Sequence, residues 1–208
     1  MKLPISALIL TYNEEKNIED CLKSIYDWVE EIFIVDSYSQ DNTLEVARKY
    51  TDKIYQHPFE NFSQQRNWSQ DNLPIKNEYV LHLDADERVS SELSSELREI
   101  FSSNVNAEGF MISRRTVFRG RWIKYGGHYP VYHLRLFKSF CYKLPLHQDT
   151  PKIGNLFRSP IFIYETSVSF TCKRIYSIIC KDPSLKNIVA HEAPHDFSKY
   201  THGFRCFR

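Results

Sequence analysis

Four short apolar runs, each closing on polar residues, alternate with amphipathic stretches along the first hundred residues of the chain. Ser6-Ala7-Leu8-Ile9-Leu10, Glu31-Ile32-Phe33-Ile34-Val35-Asp36, Lys53-Ile54-Tyr55-Gln56 and Tyr79-Val80-Leu81-His82-Leu83-Asp84 have the length and the β-branched or aromatic content of strands. Between the first two, Ile18, Cys21, Leu22, Ile25, Trp28 and Val29 recur at helical spacing. Helices are also expected over Thr43 to Tyr50 and Ser63 to Asn72. A further helix, capped by Ser90 or Ser91, carries Leu93, Leu97, Ile100 and Phe101 on one face. Such alternation calls for right-handed βαβ crossovers and a mainly parallel sheet, and ligands of such sheets bind beyond the carboxyl ends of the strands. Three polar clusters sit at those ends: Thr11-Tyr12-Asn13-Glu14, Asp36-Ser37 and Asp84-Ala85-Asp86.

What these ends can hold is narrowed by glycine. All six glycines lie at or after residue 109, so the first 108 residues contain neither a dinucleotide-binding G-x-G-x-x-G nor a P-loop. Any phosphate bound there needs a metal, a side chain or a helix N-terminus. The same absence counts against a sugar-nucleotide nucleotidyltransferase, which needs a Gly-rich, basic N-terminal loop. Ile5 to Leu10 is too short and too soon followed by polar residues for a signal or membrane segment, so cytoplasmic residence is expected. Five cysteines without a C-x-x-C suggest neither a disulfide framework nor a zinc site.

Asp84 and Asp86 stand two apart at the mouth of an apolar strand. On an extended chain their carboxylates share a side, where hard oxygen ligands suit Mg²⁺ or Mn²⁺ and a bound diphosphate; the alternative is a solvated acidic turn. Asp36 is placed to accept an N–H from a base, and Asp41 to cap the following helix. Arg66, with Asn67 beside it on the helix that begins near Ser63, could reach a phosphate, the alternative from the residues alone being an exposed helix face.

Four of these segments, Ile-Leu-Thr-Tyr-Asn-Glu-Glu (9–15), Val-Asp-Ser-Tyr-Ser-Gln-Asp-Asn-Thr (35–43), Phe-Ser-Gln-Gln-Arg-Asn (62–67) and Leu-His-Leu-Asp-Ala-Asp-Glu-Arg (81–88), together resemble the family 2 glycosyltransferases. Phe-Arg-Gly-Arg-Trp-Ile-Lys-Tyr-Gly-Gly-His-Tyr-Pro (118–130), followed by Leu-Arg-Leu-Phe-Lys (134–138), is similar to the branch containing lipopolysaccharide core β-1,4-glucosyltransferases. The resemblance covers about residues 4–138. It implies a GT-A-like, Rossmann-like α/β domain over 1–138, with an irregular C-terminal segment over 139–208. It also implies a UDP-linked hexose donor, glucose in that branch, and inverting transfer to a lipopolysaccharide core or related glycan. Thr11, Asn13, Glu14 and Asp36 would then contact the nucleoside, Arg66 would lie near the diphosphate, Tyr12 and Asn67 would be further substrate contacts, and Asp84 with Asp86 would hold Mg²⁺ or Mn²⁺ as the D-x-D pair.

The second half departs from this pattern. Residues 1–105 carry 10 basic and 20 acidic side chains, whereas 106–208 carry 17 and 6. Between Glu108 and Asp149 there are eight basic residues and no carboxylate; Val131 follows Tyr-Pro where the family has aspartate, and His147-Gln148-Asp149 stands where it has His-Glu. The general base is therefore sought among Asp149, His147 and His133, the alternative being a divergent donor-binding chain with reduced or no transfer. In the basic run, Arg115 and Trp122 are candidate acceptor contacts, with aromatic rings for sugars and cations for phosphates or a peripheral membrane surface. Nucleic acid is not the expected partner, because a near-neutral domain carries no binding motif for it. His191, His195 and His202 share helical spacing, but Pro194 interrupts it and argues against a metal site.

Overall fold

The computed structural model describes residues 1–103, 105, 107–118, 121–125, 129–139 and the strand 156–167. In chain order the elements are β1 (Leu3–Thr11), α1 (Ile18–Ile25), β2 (Val29–Asp36), α2 (Thr43–Ala47), β3 (Ile54–Gln56), α3 (Phe62–Asn72), β4 (Tyr79–Asp84) and β5 (Glu87–Val89). They continue with α4 (Ser91–Phe101), β6 (Gly109–Phe118), β7 (Arg121–Trp122), β8 (Val131–Lys138) and β9 (Leu156–Ser167). The four expected strands and four expected helices are present, but the first helix ends at Ile25, so Trp28 falls in the turn and Val29 opens β2. Helix α2 stops at Ala47, three residues before the expected end.

One sheet runs β3-β2-β1-β4-β8-β6-β9-β5, with β7 paired to β6. The first four strands are parallel. β8 joins β4 antiparallel and the sheet is mixed beyond it. Within the segment expected to be irregular, Leu156–Ser167 is a strand alongside β6. His191, His195 and His202 lie outside the described residues.

Both faces of the parallel half are covered, which explains its nearly unbroken apolar runs. On one face Ile5, Ala7, Ile9, Ile32, Ile34, Leu81 and Leu83 pack with Ile18, Leu22 and Ile25 of α1 and with Leu93 and Leu97 of α4. On the other, Leu8, Leu10, Phe33, Val35 and Val80 meet Leu73 and Trp68 at α3. The N-terminal ends of the helices explain their starts: Asn61 accepts from the Gln64 amide, and Ser90, the actual cap of α4, from the Leu93 amide. Ser6, which interrupts the first apolar run, is fully buried and donates to Glu31 on the paired strand at 2.8 Å. Glu31 in turn binds Lys53 at 2.6 Å. A polar pair facing across adjacent strands thus satisfies itself inside the sheet.

Phe33 is fully buried in the smaller of the two cores. Phe33→Ala is expected to lower the unfolding free energy by about 3–5 kcal/mol, from the lost transfer energy and the cavity left behind; urea unfolding followed by circular dichroism measures it.

Candidate active site

The register of the parallel strands sets the site. Thr11 pairs with Asp36 and Leu10 with Asp84, so the three polar clusters end side by side on one edge. The ladder is drawn tight at this edge by the Ser37 amide donating to Thr11 O at 2.9 Å and the Ala85 amide to Leu10 O at 3.0 Å.

The loops after β1 and β2 are stapled to each other. The Asn13 amide donates to Ser39 Oγ, the Gln40 amide to Asn13 Oδ1, the Glu14 amide to Thr43 Oγ1 and the Glu15 amide to Asp41. Asn13 (φ 53°) and Tyr38 (φ 63°) occupy the left-handed region, which Asn tolerates and a tyrosine enters only under constraint. These turns leave Tyr12 and Tyr38 exposed on the sheet edge. Asp36 is fully buried and accepts from the Ser39 amide, Ser39 Oγ and Gln56 Nε2, so in this structure it braces the loop from within. Asp41 takes the Thr43 amide at 3.0 Å, the start of α2. Thr11 is buried, and its hydroxyl has no hydrogen-bond partner among the described residues.

At the end of β4 the chain does not stay extended, as the D-x-D geometry expected from sequence supposed. It turns at Ala85 and Asp86 and enters β5. Asp84 therefore meets Arg66 of α3 at 2.7 Å and Arg135 of β8 at 3.4 Å. Arg66, expected to reach a phosphate, is here paired with Asp84, and its Nε is buried without a partner among the described residues. Asn67 is half-buried next to it on α3. Arg88 Nη1 donates to the Asp86 backbone oxygen at 3.5 Å, while burial, the Asp84 charge and the Glu14 charge push the Asp86 carboxyl up to about 6. Asp84 goes the other way: the guanidinium groups of Arg66 and Arg135 outweigh its burial and hold it low.

A divalent ion fits this donor set in one way. Among the described residues no three His, Cys, Asp or Glu side chains could cage a metal. Asp86, beside the further carboxylates of Asp84 and Glu14, offers hard oxygens in a place that disfavours bare negative charge. Mg²⁺ is held in this manner by one or two carboxylates plus substrate phosphates.

Three residues absent from the sequence-derived set belong to this edge. Glu87, 1% exposed, accepts the Asp84 amide at 3.0 Å and binds Arg135 at 2.5 Å. Burial pushes its carboxyl upward, the Arg135 guanidinium opposes that, and the Asp84 charge reinforces it. His82 is buried against Phe137, with neither ring nitrogen partnered among the described residues; burial first, then Arg66 and Arg135, keep it neutral. The available signal was a charged or polar residue inside an apolar strand, as in Leu-His-Leu and Leu-Arg-Leu, because such a residue must find buried partners or stay neutral.

Of the three candidate bases, Asp149 and His147 lie outside the described residues. His133 lies within the influence of Asp84, but burial, Arg135, Arg114 and Arg66 press it down to about 4. It is a neutral, weakly basic imidazole there. Arg115 and Trp122 do come together: Arg115 lies 4.8 Å and Lys124 4.6 Å from the centre of the Trp122 ring, with Tyr129 edge-on at 4.9 Å. That ring gathers two cations around it.

The profile described as "Glycosyl transferase family 2" matches residues 6–158. The chain belongs to this family. An uncharacterized glycosyltransferase of Rickettsia bellii is 35% identical over 99 residues, covering 48% of this chain and 33% of that protein. The lipopolysaccharide core biosynthesis glycosyltransferase LpsC of Rhizobium meliloti is 29% identical over 124 residues, covering 57% of this chain and 45% of that one. This family 2 chain thus spans between a third and a half of the length of these relatives. Among solved structures, S. aureus TarS 1–349 in complex with UDP superimposes with a TM-score of 0.56 at 19% identity, covering 86% of this chain and 64% of TarS, which agrees in fold. No helix among the described residues is long and apolar enough to cross a membrane.

The raised Asp86 carboxyl carries a stability cost that the site retains. With chelator present, Asp86→Asn is expected to raise the unfolding free energy by about 1–3 kcal/mol at pH 7.5, where the wild-type carboxyl is ionised against its surroundings. The gain should shrink as pH falls from about 6 toward the ordinary 3.8, where the wild-type group protonates in both states. Thermal or urea unfolding across that pH range measures it.

Proposed function

We propose that the chain transfers a hexose, glucose by its resemblance, from a UDP-linked donor to a lipopolysaccharide core or related glycan, with inversion and with Mg²⁺ or Mn²⁺. The observation that carries this reading is the convergence of Thr11, Asp36 and the Asp84–Asp86 turn on one strand edge, with Arg66 facing it from α3. The similarity to LpsC supports the acceptor class, and the UDP held by TarS supports the nucleotide.

Cleaving a sugar–diphosphate bond places negative charge on the departing phosphate oxygen. A divalent ion at Asp86 and Asp84 would supply Lewis-acid stabilisation of that charge. The chain's own contribution is positional. The stapled loops at Asn13 and Ser39 present Tyr12, Asn13 and Glu14 to the nucleoside, and Arg66 is near enough to exchange Asp84 for the diphosphate, with Asn67 at its side. Arg115 and Trp122, with Lys124, form a cationic aromatic surface suited to an anionic glycan at the cytoplasmic face of a membrane.

The acceptor hydroxyl must lose a proton as the bond forms. Asp149, His147 and His133 remain the proposed bases. The low-lying His133 favours a second reading, donor binding with reduced transfer, because an imidazole pressed down to about 4 accepts a proton poorly near neutral pH. A radiolabelled UDP-hexose assay with a core glycolipid acceptor separates the two. Metal-dependent turnover supports transfer, whereas Mn²⁺-dependent UDP binding in calorimetry without turnover supports the second reading; no binding of UDP under either condition overturns both.

A further inference from the structure

Arg135 is the residue at which the β8 ladder slips. Phe110 pairs with Leu136 and Met111 with Leu134, so Arg135 is the extra residue of a bulge in the middle of β8. Bulges re-aim side chains and occur beside active sites. Here the bulged residue is only 7% exposed and reaches two carboxylates: Glu87 Oε1 at 2.5 Å and Asp84 Oδ2 at 3.4 Å. Glu87 also turns its second oxygen, Oε2, to the Asp84 amide at 3.0 Å. The Asp84-Ala85-Asp86 turn is thus gripped at its first residue through both backbone and side chain, by two groups that are themselves buried.

We propose that Glu87 and Arg135 form a positioning clamp that fixes the Asp84–Asp86 turn in the geometry required to hold a divalent ion and the donor diphosphate. The inference rests on the reading of Asp84 and Asp86 given under the proposed function. Stability alone gives little reason to keep such a pair: desolvating two ions offsets most of their attraction, and apolar residues of similar volume serve a core as well or better. What apolar residues cannot supply is an acceptor for the Asp84 amide and a second cation on the Asp84 carboxylate. Residues that orient metal ligands in this way commonly contribute roughly 10–100-fold to metal affinity or activity.

The test is calorimetric titration of UDP with and without Mn²⁺, alongside thermal unfolding, on the wild type and on Glu87→Gln/Arg135→Met, Arg135→Lys and Asp86→Asn. The double variant removes both charges at once and is expected to melt close to the wild type while losing roughly 10–100-fold in Mn²⁺-supported UDP affinity. Arg135→Lys keeps the charge but replaces the planar guanidinium, whose Nη2 meets both carboxylates, with a shorter and differently aimed ammonium; it is expected to lose affinity in the same direction, and it serves if the double variant fails to fold. Wild-type Mn²⁺-supported affinity in a folded double variant or in Arg135→Lys overturns the clamp. Asp86→Asn separates the two ideas. If it abolishes Mn²⁺ dependence while the clamp variants bind normally, the clamp alone falls; if it leaves Mn²⁺ dependence intact, the metal reading falls and the clamp with it.

Discussion

The register of β1 between β2 and β4 is the constraint on which the rest of this structure depends. Side chains alternate along a strand, so a slip of one residue would move Asp84 and His82 to the α1 face and Leu83 to the α3 face. The observed alignment, Leu10 with Asp84 and Thr11 with Asp36, is enforced by two buried cores of opposite parity along each strand. Packing on both faces therefore decides which polar residues meet at the edge, without any contact among those residues being needed to bring them there.

At that edge the molecule concentrates charge in a small volume. Asp84 lies between Arg66 and Arg135, Glu87 between Arg135 and the Asp84 amide, and Asp86 is left beside like charges. The cations and carboxylates do not cancel site by site. Asp84 is held low and Asp86 is pushed up, so two aspartates two residues apart differ in character: one is an anion in an arginine clasp, the other a carboxyl whose charge its surroundings disfavour. Burial and neighbouring charge produce this split.

Several of these features could be read directly from the chain. The apolar runs gave the four parallel strands and the helical spacing gave α1 and α4, because strongly periodic segments bury the same face in most contexts. The residues 35–43 and 81–88 marked the edge correctly. The structure added β5 to this picture: Glu87-Arg88-Val89 is too short to carry a period of its own, and it is a strand only because β9 runs antiparallel beside it. The extended D-x-D supposed from spacing gave way to a turn for the same reason, since the path after Asp84 is set by where β5 must go.

The alternating βαβ order, the polar character of the strand ends and the resemblance to family 2 glycosyltransferases were all legible in the chain, because each is written in local periodicity or in contiguous motifs. Which charges pair was settled by the closed sheet. Arg66, Asp84, Glu87 and Arg135 come from a helix and three strands, up to 69 positions apart along the chain. A buried charge chooses its partner by distance in space, and that distance exists only once the sheet has closed around it.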